Sequence, residues 1–346
     1  MICRVVSGIS LRGNVRGDKG LSDRFLVASC AATFGIFSQE PVERLKAAGC
    51  DVLINPYGRP LTSQEIVEYA SDADVIILGN DFLDAQTIAQ LPNLKMIARH
   101  GSGLDNIDFA EVLRRDLTVT NTPGANREET ADLTFALMLD LARMITQSVN
   151  QLKAGVWNKI PGRSLYGKTL GIIGVGEIGM AVAKRAMGFG MDILGNDIVQ
   201  REEAAHYGLL YVSLAELLAK SDVITIHAPL TPATLNLLGA KEFRRMKDGV
   251  LLINTAREDI IRRSALEKAL LSGKLGGFAT DVYEHEPPTL RQYMTLPNVL
   301  TTPHIGSSTF ETNMRMGDVV VDNIIAFKDG VVPPNRVTAI DRIRFS

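Results

Sequence analysis

Three side chains stand out for the chemistry they could do together. They are Arg257 after the apolar run GVLLINTA, Glu286 in DVYEHEP, and His304 in TTPHIG. Each follows a stretch that reads as a β-strand, and ligands of open parallel α/β sheets bind outside the carboxyl ends of the strands. Histidine is the side chain best matched to moving a proton near neutral pH. A carboxylate on its other ring nitrogen fixes the tautomer and favours the imidazolium. Arginine offers a planar fork for a carboxylate. The trio therefore suits hydride transfer to a ketone that sits beside a carboxylate: one group holds the acid, and two serve the developing alkoxide. A plainer reading stands beside each. Arg257 could be a surface ion pair with Glu258, Glu286 a solvated loop acid next to Glu284, and His304 a satisfied structural histidine.

A second motif supplies the hydride carrier. In LGIIGVGEIGM, Gly174, Gly176 and Gly179 make G-x-G-x-x-G between an apolar strand and a helix, the context that gives the pattern weight. Gly174 allows a tight turn, Gly176 a close approach to a pyrophosphate, and Gly179 close helix–strand packing. The helix N-terminus presents free N–H groups to the phosphates. The next strand ends at Asp197, where an acid accepts the ribose hydroxyls of NAD and repels the 2′-phosphate of NADP. Arg201 is close enough to leave that preference open. His100 and His227 are expected to line loops near this cofactor without handling protons, and His206 and His285 to be exposed.

These groups need a scaffold, and the chain has room for one. Its 346 residues suit two domains. With 46% hydrophobic and 22% charged residues it reads as globular, and a net charge of −2 without a basic stripe points away from nucleic acid. No apolar run approaches the roughly 20 residues a bilayer span requires, so no membrane partner is expected. Cys3, Cys30 and Cys50 match no metal-ligand spacing and suit a reducing, cytoplasmic setting; no metal is expected. Residues 1–24 carry Arg4, Arg12, Arg16 and Arg24 with no apolar core, so they are no secretory signal; they read as a frayed extension, with an organelle transit peptide, interrupted by Asp18 and Asp23, as the weaker alternative.

Short β-rich runs alternate with helical ones throughout, the pattern of parallel sheets covered by helices. FLVASCA, DVLIN, DVIILG, LKMIAR and LTVTNTP read as strands of a first unit, with Thr62 or Ser63 capping one of its helices. One long helix, roughly Glu128 to Lys153, reads as the connector to a second unit. There the alternation restarts at TLGIIGVG and runs through MDILGND, DVITIHAP, GVLLINTA, GGFATDV and NVLTTPHIG. A last helix, about Ser308 to Lys328, precedes a non-helical tail at Pro333-Pro334. A fingerprint lying mid-chain implies an inserted dinucleotide domain. The expected division is a discontinuous substrate domain of residues 1–125 and 306–346 around a Rossmann domain of residues 126–305.

The segments RHGSGLDNID (99–108), NTPGAN (121–126), LYGKTLGIIGVGEIG (165–179), HAPLTPAT (227–234), NTAR (254–257), DVYEHEP (281–287) and PHIGSST (303–309) together resemble the D-isomer-specific 2-hydroxyacid dehydrogenases. The likeness runs from Phe25 to Val332. Within the family it is most similar to D-3-phosphoglycerate dehydrogenases, through Arg99 ahead of His-Gly-Ser-Gly and through NTPGAN. The resemblance implies a flavodoxin-like substrate domain split around a Rossmann domain, NAD as cofactor, and a homodimer or dimer of dimers. It also implies closure about residues 121–126 and 304–308.

By the same resemblance His304 is the acid/base, Glu286 its partner and Arg257 the clamp on the substrate carboxylate. The amides of Ser102 and Gly103 help that clamp, and Arg99 is the contact that favours a phosphorylated substrate. Glu177 and Ile178 meet the pyrophosphate, Asp197 the ribose and Asp281 the nicotinamide amide. His227, Ala228, Pro229, Thr255, Ala256 and Gly306 line the cofactor, together with Arg257 and His304. The implied reaction moves hydride between NAD and a 2-hydroxy or 2-oxo acid, foremost 3-phosphoglycerate in serine biosynthesis. Hydroxypyruvate/glyoxylate reductase and D-lactate-type dehydrogenase are the alternatives, and an NAD(H)-sensing corepressor-like protein is a remote one. Two departures matter. Glu258 stands where the family usually has glycine, so the turn is expected to differ or substrate affinity to fall. The chain stops at Ser346 without the C-terminal regulatory domain of many phosphoglycerate dehydrogenases, so serine feedback through such a domain is not expected.

Overall fold

The computed structural model describes residues 25–338. The expected N-terminal extension, with Cys3 in it, lies outside the described residues. Two parallel sheets organise the chain. The first takes its strands from β1 (Phe25–Ser29), β2 (Cys50–Leu53), β3 (Val75–Leu78), β4 (Met96–Arg99) and β5 (Thr118–Thr120), in the order β2-β1-β3-β4-β5. That is the flavodoxin-like order. β3 and β4 are buried along their whole length, as strands covered on both faces must be. Helices α1 (Glu40–Ala47), α2 (Ser63–Ala70), α3 (Ala85–Ala89) and α4 (Phe109–Arg114) connect them. At α2 the open choice of cap resolves to Thr62, whose hydroxyl accepts from Glu65 N–H in a capping box.

After β5 come α5 (Arg127–Arg143) and α6 (Ile145–Lys153), then β6 (Thr169–Ile173), α7 (Glu177–Gly188), β7 (Asp192–Asn196) and β8 (Leu209–Tyr211). The chain continues through α8 (Leu214–Lys220), β9 (Val223–Ile226), α9 (Ala240–Arg245), β10 (Val250–Asn254), α10 (Arg263–Leu271), β11 (Leu275–Thr280), β12 (Val299–Thr301) and α11 (Phe310–Lys328). The seven strands lie in the order β12-β11-β10-β9-β6-β7-β8, all parallel. Strand order reverses between β6 and β9, and the crevice at such a reversal is where nucleotides bind in doubly wound folds. α11 returns to the first sheet, where Val320, Val321 and Ile324 share a core with Val27, Phe34 and Leu45.

The structure corrects two readings. The single helix over 128–153 is broken at Met144, which takes a left-handed conformation with φ 54° and ψ 41°. The Asp140 carboxylate accepts Thr146 N–H at 2.8 Å in the first turn of the second helix. α5 is buried along one side, whereas no residue of α6 is buried. The stretch between β7 and α8 also holds a strand, β8, which starts after Gly208 (φ 71°) and is only three residues long.

Candidate active site

The groups singled out by sequence follow strand ends, and the Arg257 and His304 turns are each braced by a buried polar side chain. Asn254, fully buried at the end of β10, accepts Ala256 N–H at 3.0 Å and donates to the Arg257 carbonyl at 2.8 Å. That fixes the base of Arg257. Its guanidinium then reaches across to the loop after β4, donating from Nε to Asp105 Oδ2 and from Nη2 to Asp105 Oδ1, both at 2.8 Å. Nη1 donates to the Ala256 carbonyl at 2.7 Å. A guanidinium has five N–H donors. Three are taken, so one remains on each terminal nitrogen, an end-on fork for a carboxylate. Burial works against the Arg257 charge, but Asp105 prevails and holds the guanidinium above its ordinary range. Asp105, despite its own burial, is held below the usual carboxylate range by Arg257.

The approach is possible only over glycine. A Cβ on Gly103 would lie 2.1 Å from Arg257 Nη2. The N–H groups of Ser102 and Gly103 find no protein acceptor among the described residues, so they remain available beside the fork. Ser102 Oγ is spent on the Thr122 carbonyl at 3.0 Å and Asn126 Oδ1 at 3.1 Å.

His304 sits at φ 52°, a left-handed conformation rare for a residue with a side chain. Asp281, buried after β11, imposes it. The Asp281 carboxylate accepts Thr302 Oγ1 at 2.7 Å, Ile305 N–H at 2.8 Å and Gly306 N–H at 2.7 Å, and so shapes the whole turn. The His304 ring donates from Nδ1 to Glu286, at 2.6 Å from Oε1 and 2.8 Å from Oε2. Since Nδ1 carries that proton, Nε2 is the nitrogen left to exchange one with a substrate. Arg257, Glu286 and His304 are therefore brought to one place, and the Glu286 charge acts on Arg257 as well.

Arg99 is placed differently from its expected role. It is 6% exposed, and its guanidinium is absorbed by its own loop. It donates to the carbonyls of His100 (2.7 Å), Gly103 (3.1 Å) and Leu78 (3.3 Å) and to Asn80 Oδ1 (3.1 Å). Burial and the nearby Arg257 push it down to about 10. It props the turn that presents Ser102 and Gly103, and is not a free cation for a phosphate. Beside it opens a cleft of about 350 Å³ lined by His304, Glu286, Asn80 and His100 among others, and Arg257 stands outside that lining.

The structure also places Glu258. Glu258 opens a 3-10 turn, Glu258–Ile260, and is not among the residues with positive φ, so the turn needs no glycine. Its carboxylate faces the neighbouring loop, accepting Glu284 N–H at 2.7 Å and pairing with Arg291. The charge expected beside the clamp is thereby matched by a cation of its own.

On the nucleotide side, Gly174 (φ 90°) has no room for a Cβ, which would lie 2.4 Å from Ala228 N at the strand reversal. A Cβ on Gly179 would lie 2.2 Å from the Gly174 carbonyl, while one on Gly176 would meet nothing within 4 Å. The N–H groups of Glu177, Ile178 and Gly179 have no acceptor among the described residues, and Gly176 caps α7 without a side chain. Open space over unsatisfied N–H groups at a helix start fits a pyrophosphate. Asp197 accepts Val175 N–H at 2.6 Å and Val199 N–H at 3.0 Å, and so tightens the glycine turn from below. Glu177 is paired with Arg127 and with Arg201, which draws Arg201 toward the α7 start. Thr255 Oγ1 lies 3.4 Å from His227 Nδ1 and 3.1 Å from Thr134 Oγ1. Ala228 and Pro229 follow β9, Ala256 fills the Arg257 turn, and the Gly306 carbonyl accepts Thr130 Oγ1 at 3.2 Å. His206 and His285 are exposed, whereas His100 is buried in the cleft wall.

Sequence reasoning missed Asp105 and Asn254, although both lie inside quoted segments. The available signal was an acid two residues past the glycine that would meet an arginine fork.

The family model for the NAD binding domain of D-isomer specific 2-hydroxyacid dehydrogenases matches residues 135–306. A glyoxylate reductase of Korarchaeum cryptofilum is 41% identical over 80% of this chain and 86% of its own length. A D-3-phosphoglycerate dehydrogenase of Archaeoglobus fulgidus is 38% identical over 87% of this chain but 57% of its own length. The structure of a D-lactate dehydrogenase from Aquifex aeolicus, complexed with NAD and lactic acid, matches with a TM-score of 0.78 and 29% identity, covering 90% of this chain and 98% of that one. The chain belongs to the D-isomer specific 2-hydroxyacid dehydrogenases. It is an NAD-dependent oxidoreductase acting on a small hydroxy or oxo acid, and no helix among the described residues is long and apolar enough to cross a membrane.

Two outcomes follow from this geometry. Asp105→Ala removes the group that aims Arg257, so KM for the oxo acid should rise about tenfold to a hundredfold while NADH affinity holds; steady-state kinetics with a separate NADH titration check it, and an unchanged KM would mean Arg257 is aimed by something else. The second concerns pH. Burial, with the Arg99 charge adding to it, pushes the His100 ring down to about 4 from its ordinary 6.5. Between those values the unfolded chain binds a proton that the folded chain does not, so stability falls as pH drops through this window. Melting temperature should decline from pH 6.5 toward 4, with a shallower slope in His100→Gln; an identical slope would show that the buried ring is not the source.

Proposed function

We propose that this enzyme reduces a small, unphosphorylated 2-oxo acid of the glyoxylate or hydroxypyruvate kind, with NADH. The observation that carries the reading is the burial of Arg99, the one cation singled out for a phosphate, inside its own loop. Arg99, the reason to expect 3-phosphohydroxypyruvate and a place in serine biosynthesis, is committed to four acceptors of its own loop. A phosphate carries nearly two charges and needs several free donors.

When bound at the glycine turn, NADH supplies the hydride that reaches C2 of the oxo acid. Arg257 holds the substrate carboxylate with its end-on fork, and the Ser102 and Gly103 N–H groups add donors on the other side. His304 donates the proton from Nε2 to the ketone oxygen as charge develops there. Glu286 holds the ring by Nδ1 and stabilises its charged form. Asp281 keeps the turn in shape, and whatever meets the nicotinamide amide must share its carboxylate with three existing donors. Asp197, Glu177 and Ile178 hold the ribose and pyrophosphate. The domain division at 125/126 and 305/306 belongs to this reading, with closure about the two crossings. The free, buried Cys30 and Cys50 fit a reducing compartment such as the cytoplasm.

The test is NADH oxidation by the purified chain with glyoxylate, hydroxypyruvate, pyruvate and phosphohydroxypyruvate side by side. One of the first two should show the highest kcat/KM. A preference for the phosphorylated acid would overturn the reading and require Arg99 to leave its loop on binding.

The reading includes a homodimer. α6 carries Ile145, Val149 and Leu152 at positions i, i+4 and i+7, all exposed, and Trp157 beyond its end is 81% exposed. An apolar stripe of this kind suits a partner helix. Sedimentation should give twice the chain mass for the wild type and the single mass for Leu152→Glu; a monomeric wild type would end the proposal.

A further inference from the structure

The loop that carries Glu286 is weakly held by its own backbone. From Glu284 to Leu290 no backbone-to-backbone hydrogen bond forms among the described residues. The stretch is largely exposed and contains Pro287 and Pro288, which have no N–H to offer. Among the described residues only one of its N–H groups finds a protein acceptor, that of Glu284, and the acceptor is Glu258 Oε2 at 2.7 Å. The other Glu258 oxygen pairs with Arg291, where the loop ends, and lies 3.6 Å from Arg263 Nε. Arg263 and Arg291 both also pair with Glu284. Two acids and two arginines thus form one knot, and the Glu258 side chain at its centre is only 10% exposed. Ion pairs in such a network, with one carboxylate nearly buried, count for more than isolated surface pairs.

The position of the knot gives it meaning. Glu258 follows Arg257 on a turn that Asn254 makes rigid. Glu284 precedes Glu286 by two residues. One carboxylate therefore spans from the turn bearing the clamp to the loop bearing the partner of His304. We infer that Glu258 is a positioning residue for proton transfer: by holding Glu284 N–H and Arg291 it sets the loop so that the Glu286 carboxylate meets His304 Nδ1. A glycine at this position would leave the loop to other means, so the device belongs to this chain's own sequence. The inference rests on the acid–base roles given to His304 and Glu286 above.

A double-mutant cycle tests it, read as kcat and KM with hydroxypyruvate and as NADH affinity. Glu286→Gln should lower kcat on the order of a hundredfold. Glu258→Ala should lower kcat about tenfold with NADH affinity unchanged, because only the loop is released. The double variant should be no slower than Glu286→Gln alone, since Glu258 acts through Glu286. Glu258→Gln should recover most of the rate, as its amide oxygen still accepts from Glu284 N–H. Losses that multiply in the double variant, or normal turnover in Glu258→Ala, would overturn the inference while leaving the acid–base reading intact. Normal turnover in Glu286→Gln would sink the acid–base reading itself. Should Glu258→Ala fail to fold, Arg291→Ala serves in its place: its loss must likewise disappear in the Glu286→Gln background.

Discussion

One ion pair ties the two halves of this molecule at the point of chemistry. Arg257 grows from the end of β10 in the seven-stranded sheet, and Asp105 from the loop after β4 in the five-stranded one. Much of the site's geometry depends on that bridge. It fixes where a carboxylate can sit, because it leaves a single fork of the guanidinium open. It demands glycine at 103, because the guanidinium passes where a side chain would be. Beside it a second cation, Arg99, is buried and lowered by that burial and by the charge of Arg257. The pair is half-buried and bidentate, the arrangement in which an Arg–carboxylate contact carries both strength and direction.

The other site groups obey a common rule. The Arg257 and His304 turns are each braced by a polar side chain buried at a strand end, and the glycine turn by the half-buried Asp197. Asn254 shapes the Arg257 turn, Asp281 the His304 turn and Asp197 the glycine turn. A buried polar group must satisfy its hydrogen bonds, so burying one at a strand end obliges the next few residues to fold around it. Parallel strands supply such ends side by side, which is how the seven-stranded sheet brings the turns of Arg257 and His304 to one edge.

Much of this was legible beforehand, for physical reasons. Fully buried strands such as VIIL at 75–78 and VLLIN at 250–254 announce themselves as apolar runs, and the glycine turn has only one economical use in a strand–helix junction. What was hidden depended on contacts distant in sequence. Nothing in residue type marks Met144 as left-handed, since the apolar period runs on past it with no glycine or proline, and the Asp140 contact that starts α6 is visible only in space. β8 is too short to show a period. The trio was readable from strand ends, but Asp105 was not, because its meaning lies in a residue 152 positions away. Arg99 misled for the same reason: an arginine reads as a free charge until the carbonyls that surround it are known. Glu258 was noticed only as an oddity, and its partners lie 26 and 33 residues downstream.

The left-handed backbone at His304 has a further consequence. A non-glycine residue there costs about 1–3 kcal/mol, which the surrounding turn must offset. Stability and activity then pull in opposite directions at one residue. Asparagine or glycine would suit the backbone better than histidine does, and would serve the fold while ending proton transfer. Selection for thermal robustness alone would favour such a replacement, so under the acid–base role proposed for His304 the ring is kept there at a cost to the fold.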